Sequence, residues 1–265
     1  MSGNQSDELL IERDGGICVV TLNRPDSMNA AGPSMLFALT ELAESLAKDD
    51  ELSAVIITGA GKAFSAGGDF EHFVKTSKEP DYAKATLANA RRFIEAMLAL
   101  PMPVIAAVNG PAVGFGATMA ALCDLVLISD KAFIAEPHIN IGLVLGDGIA
   151  VTWPLMMGML KAKELIYTGK RIGAQDAVAC GLANRVVEHE QLLTEARALA
   201  AELAKQPRGA LRESKSLLNL YVRRNIETVL EELIERQFAR TQGPEHGAIV
   251  AGMIAKQKRN QSPVK

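Results

Sequence analysis

Two aliphatic runs, SAVIITG at 53–59 and PVIAAVNG at 103–110, each open directly onto glycine. Runs this short and this apolar, bounded by turn residues, read as buried strands. A glycine-rich loop follows each, at 59–69 and at 109–116, and the second leads straight into the helical ATMAALC. DLVLISD and AFIAEP are further strands. Strand, loop and helix thus recur three times, which makes the fold class α/β.

The flanking sequence fits that repeat. LLIERDGGICVVTLN reads as two short strands about a turn at Asp14-Gly15-Gly16. Leu36, Leu39, Leu42, Ala43 and Leu46 recur at helical spacing. DYAKATLANARRFIEAMLAL is a second helix, stopped by Pro101 and Pro103. From about 189 onward the chain reads as helix, and EQLLTEARALAAELAKQ and IETVLEELIERQFAR carry apolar stripes with charged outer faces. The expected division is a core over 1–195 and a helical region over 196–265. The second region offers more apolar face than one core needs.

Composition excludes several classes. The 265 residues are 48% hydrophobic with net charge −3, which gives no electrostatic case for nucleic acid or an anionic membrane. Cys18, Cys123 and Cys180 are far apart and lack metal-ligand spacing, as expected of reduced thiols in a cytoplasmic protein with no metal site. MSGNQSDELL has no basic start and no long apolar core, so no signal peptide is expected. No uninterrupted apolar stretch reaches the ~18 residues of a membrane span.

The glycine loops carry chemistry only in combination. GKAFSAGG lacks the terminal Gly-Lys-Ser/Thr of a phosphate loop, and GFG opens no dinucleotide pattern. Two backbone N–H groups, one from each loop, can instead hold one developing oxyanion. In AEPHINIGLVLGDGIA, 135–150, His138 and Asp147 stand nine residues apart among glycines. They read either as a proton-transfer pair or as solvated loop residues. Glu136 is a rival carboxylate, on the same face as His138 by strand alternation.

TLNRPDSMNA (21–30), AFSAGGDF (63–70), VIAAVNGPAVGFG (104–116) and LIYTGKRIGAQDAVACGLANRVV (165–187) together resemble the enoyl-CoA hydratase/isomerase, or crotonase, family over nearly the whole chain. The resemblance implies a crotonase-like spiral of ββα units with a C-terminal helical trimerisation region, a homotrimer or homohexamer, and an acyl-CoA thioester as substrate. No cofactor beyond coenzyme A itself is implied. By position, Ala66 supplies one oxyanion donor and Gly114 or Phe115 the other. Arg24 falls where relatives contact CoA phosphates, Gly67, Asp69 and Phe70 border the CoA, and Lys258 belongs to a C-terminal basic cluster with Lys256 and Arg259. Trp153, with Met156, Met157 and Met159, is a candidate for an acyl pocket wall, although packing in the core is the commoner fate of such residues. His72, His189 and His246 have no partner spacing and read as surface residues.

The same matching locates departures. The family's two catalytic glutamates fall on Thr118 and His138, the latter just after Pro137. The expected catalytic pair is therefore His138 and Asp147, with either the imidazole or the aspartate as base, and Glu136 ranks lower. The PH…GDG…V.WP pattern also resembles the branch containing 6-oxocamphor hydrolase. Three functions follow: enolate chemistry on an acyl-CoA, carbon–carbon hydrolysis of a β-diketone by His138 and Asp147, or silent acyl-CoA binding.

Overall fold

The computed structural model describes residues 7–146 and 148–261, with side chains in the last helix described through Lys256. Asp147 lies outside the described residues, and so does the side chain of Lys258. The chain opens with β1 (Leu9–Asp14) and β2 (Ile17–Leu22), antiparallel and joined at Gly15 and Gly16. Both glycines have positive φ, +53° and +81°, the backbone that a two-residue hairpin with right-handed strand twist needs.

Next come α1 (Pro33–Leu46), β3 (Ala54–Gly59), α2 (Phe70–Thr76), α3 (Pro80–Ala99) and β4 (Val104–Val108). The middle of the chain contains β5 (Ala112–Val113), α4 (Phe115–Leu122), β6 (Leu125–Ser129), β7 (Phe133–Ala135), α5 (Ile149–Met157), α6 (Met159–Thr168), β8 (Ile172–Gly173), α7 (Ala174–Ala179) and β9 (Arg185–Val187). Three helices finish it: α8 (Leu192–Ala204), α9 (Arg208–Thr241) and α10 (Pro244–Gln261).

Among the described residues the large sheet runs β1-β2-β3-β4-β6-β9, parallel after the first pair. A second sheet runs β5-β7-β8. Each turn of the chain places one strand in the large sheet and the next in the small one: β4 then β5, β6 then β7. Isolated bridges Ser65↔Ala112 and Ala31↔Gly68 continue the small sheet into the first glycine loop.

β3 and β4 are apolar on both faces because both faces are covered. On one side Leu36, Leu39, Ala43 and Leu46 of α1 join Phe93 and Met97 of α3 in the main core. On the other, Ala196 and Ala200 of α8 pack on Val19, Ile56, Ile105 and Leu127. The expected division at 195/196 thus falls inside α8, a helix that belongs to the sheet. α9 packs against α3 and α5, with Ile226 and Leu230 in the main core.

Candidate active site

The two glycine loops are built as one object. Asn29, fully buried at positive φ, donates to the carbonyls of Ala60 and Ala63 at 2.9 and 2.8 Å and accepts from Arg24 N–H at 2.8 Å. Asn109 accepts from Gly59 N–H at 3.0 Å and donates to Gly61 and Ala63 carbonyls at 3.2 and 3.3 Å. Ser65 N–H donates to the Pro111 carbonyl at 3.0 Å, and Val113 N–H returns to the Ser65 carbonyl at 2.9 Å. Glycine is required where the backbones cross: a Cβ on Gly67 would stand 2.7 Å from the Val113 carbonyl oxygen.

These bonds decide which N–H groups remain available, and they correct two assignments. Ala66 N–H is committed to the Met28 carbonyl at 2.9 Å, and Gly114 N–H to the Ala135 carbonyl at 2.9 Å. Neither is an open donor. Asp69 N–H donates to Ala31 and Ala31 N–H to Gly67, which leaves Gly68 N–H without a partner among the described residues. Phe115 opens α4, where a helix has unused N–H groups. Its ring packs on Phe93, centroids 5.2 Å apart, and fixes the backbone behind it. Gly68 and Phe115 therefore present the open donors, one from each loop, and both line the same cavity.

That cavity has a volume of about 220 Å³. Its walls include Leu36, Phe73, Leu87, Phe115 and Leu143, with His138 beside Gly114. Whole small-ligand pockets run to about 300–1,000 Å³, so this space suits a short acyl group with the rest of a thioester outside.

His138 is positioned by a carboxylate two residues upstream. β7 ends at Ala135, and His138 begins a short 3-10 turn through Ile141. Strand alternation is not what joins Glu136 to His138. Instead Glu136 Oε1 accepts both the His138 backbone N–H, at 3.1 Å, and the ring Nδ1. The Glu136 side chain is wholly shielded, and Oε2 has no partner among the described residues. Glu136, ranked below Asp147 by sequence, is thus the carboxylate seen in contact with the imidazole.

Other candidates separate. Trp153 is 1% exposed in the main core and does not line the cavity, which corrects its expected role. Met156 and Met157 pack against that core, and Met159 is exposed. Arg24 donates to the Ala30 carbonyl at 2.6 Å and pairs with Asp69 and Glu8 at 3.0 and 3.3 Å. Asp69 also caps α2 through Glu71 N–H. Both residues hold the first loop in place. Phe70 opens α2 and lines a separate surface groove with Ile254.

Two histidines read as surface residues lie inside. His246 is 1% exposed, with Nδ1 2.7 Å from the Ile141 carbonyl. His72 lines the cavity with Nδ1 3.2 Å from the Tyr82 hydroxyl, and burial pushes its pKa down. Its partner sits ten residues away on the next helix, a spacing that no local pattern reveals. Lone polar residues of the C-terminal region were equally silent: Gln237 and Thr241 of α9 also reach this cavity.

The profile of the enoyl-CoA hydratase/isomerase family matches residues 12–261. A probable enoyl-CoA hydratase of Mycobacterium bovis is 36% identical over 233 residues, covering 87% of this chain and 88% of that protein. The short-chain-enoyl-CoA hydratase of Clostridium acetobutylicum is 33% identical over 84% of this chain and 85% of its own. A crystal structure of an enoyl-CoA hydratase/isomerase from Mycobacterium paratuberculosis superposes with a TM-score of 0.91 at 38% identity, covering 94% of this chain and 100% of that one.

Proposed function

The chain belongs to the enoyl-CoA hydratase/isomerase family, and on that premise we propose that it moves a proton on an acyl-CoA thioester, with His138 as the base. The thioester oxygen sits between the N–H groups of Gly68 and Phe115. His138 takes a proton from the carbon next to the thioester carbonyl. The electron pair left behind moves onto that oxygen, and the two donors stabilise the enolate. Where the acyl group carries a β,γ double bond, the charge extends to the γ-carbon, and return of the proton there moves the double bond into conjugation with the thioester. Addition of water across a conjugated double bond passes through the same enolate.

The observation that carries this reading is the contact of His138 Nδ1 with buried Glu136. A carboxylate at Nδ1 holds the proton there and makes Nε2 the basic nitrogen. It also stabilises the imidazolium formed when the base takes its proton. Asp147, nine residues on, is proposed as a second acid–base group.

A second reading has a specific support. Thr118 and His138 stand where the resemblance puts two glutamates, and an imidazole oriented by a carboxylate is suited to activating water. Such water would attack one carbonyl of a β-diketone. The carbon–carbon bond would break to a carboxylic acid and an enolate, which is then protonated.

Calorimetric titration with CoA and crotonyl-CoA, followed by turnover assays on crotonyl-CoA and on a CoA-free β-diketone, separates the readings. Thioester binding with turnover supports the first, and diketone cleavage without CoA binding supports the second. Thioester binding with no turnover of any acyl-CoA supports a silent binder and overturns both.

A further inference from the structure

Gln237 is 8% exposed, reaches the cavity from α9, and has half of its amide committed. Its Oε1 accepts Val144 N–H at 3.1 Å. An amide accepts only through its oxygen, so this bond fixes which way the Gln237 amide faces. The stem is wedged on Gly146, where a Cβ would stand 2.6 Å from the Gln237 Cβ. Nε2 therefore points away from Val144, and its two hydrogens meet no acceptor among the described residues. Trp153 Nε1 and His246 Nε2 are enclosed by protein without a partner, and Gln237 Nε2 is not among such atoms. It opens on the cavity.

The hydroxyls of the surrounding wall do not duplicate this donor. The hydroxyls of Thr76, Thr86 and Thr241 are turned back onto the carbonyls of His72, Tyr82 and Gln237. No lysine or arginine lines the cavity among the described residues. A carboxylate on the acyl chain would enter a largely apolar space with no lysine or arginine to pair with, which disfavours it. A plain alkyl chain would leave the buried amide hydrogens unmet.

We propose that this site selects acyl thioesters whose acyl group carries a neutral acceptor oxygen, a ketone or hydroxyl, away from the thioester, and that Gln237 Nε2 donates to it. The proposal rests on the acyl-CoA reading above and names the substrate class of that site.

The test compares hexanoyl-CoA, 5-oxohexanoyl-CoA and glutaryl-CoA by calorimetry on the full chain. A hydrogen bond of ordinary net worth makes the oxo compound about five- to ten-fold tighter than hexanoyl-CoA, with glutaryl-CoA the weakest. Gln237→Leu erases the oxo preference. That variant also takes the acceptor from Val144, so Gln237→Glu is measured beside it. The glutamate keeps an oxygen for Val144 and sets an acceptor against the ketone, which reverses the preference. Equal affinity of hexanoyl-CoA and 5-oxohexanoyl-CoA for the unaltered protein, or a preference that survives in Gln237→Glu, overturns the proposal alone. Failure of all three thioesters to bind overturns it together with the acyl-CoA reading.

Discussion

The carboxylate of Glu136 meets the next residue but one through a single oxygen: Oε1 receives both the backbone N–H and the ring Nδ1 of His138. Pro137 stands between them, and the turn at His138–Ile141 follows directly. The pair stands against Gly114, whose added Cβ would lie 3.8 Å from His138 Cε1. The imidazole proposed as the base thus lies beside the loop that offers the Phe115 N–H.

Removing the partner should cost rate while leaving binding intact. Glu136→Gln is expected to lower kcat roughly 10²-fold or more, within the range for positioned acid–base groups, with KM changed little. His138→Gln should fall at least as far and lose the acid limb of the kcat–pH profile. Asp147→Asn belongs in the same series. Full activity in Glu136→Gln with a dead Asp147→Asn would return the carboxylate role to Asp147.

Gly67 holds the two loops at contact distance. An alanine there meets the Val113 carbonyl at 2.7 Å and must also keep a φ of +93°. Gly15, at φ +53° with nothing within 4 Å, supplies the control in which only backbone strain acts. Strain alone costs about 1–2 kcal/mol. Gly67→Ala should therefore lower Tm more than Gly15→Ala, and it alone should abolish thioester turnover. Equal losses in both variants would mean that the loops part without consequence.

Sequence reached the frame and one wall of the site. SAVIITG and PVIAAVNG could be read as strands because burial on both faces leaves a continuous apolar run. The helical stripe of α1 could be read because one face is wet. A backbone N–H has no sequence signature, so the motif points to Ala66 where Gly68 is open, while Phe115 is one of the two positions it offers for the second loop. Whether Ala66 or Gly68 is open depends on Met28 and Ala31, which approach from another segment. Trp153 was assigned to the pocket on side-chain type, and its α5 packing sends it to the core instead. His72 and Gln237 were missed because the partners that orient them, Tyr82 and Val144, lie on other elements.

His72 gives a pH dependence of stability with a definite sign. Burial lowers its folded-state pKa below the ordinary value of about 6.5. As pH falls through that value the unfolded chain takes up a proton and the folded one does not. Stability should fall with pH from about 6.5 downward, until the folded value is passed. His72→Gln should flatten this part of the curve, read as urea midpoints between pH 7.5 and 5.5. An unchanged slope would show that burial of His72 has no such effect.

α6 and α9 present large apolar side chains to solvent: Leu160 is 86% exposed, Leu218 68% and Tyr221 69%. Scattered apolar residues are ordinary on a surface, but Leu217, Leu218 and Tyr221 lie within two turns of one helix. Covering such a stretch with another copy of the chain removes it from water at about 25 cal/mol per Å². Closed cyclic symmetry would satisfy every copy alike, and a homotrimer or a hexamer built from trimers is the assembly proposed. Light scattering at micromolar concentration should give a mass near three or six chains of 28.3 kDa. Leu218→Glu with Tyr221→Glu should shift that mass towards the monomer. Both positions are exposed within the single chain, so its circular dichroism should stay unchanged. A monomer in the unaltered protein would count against the assembly. An oligomer indifferent to both charges would place the contact on another face.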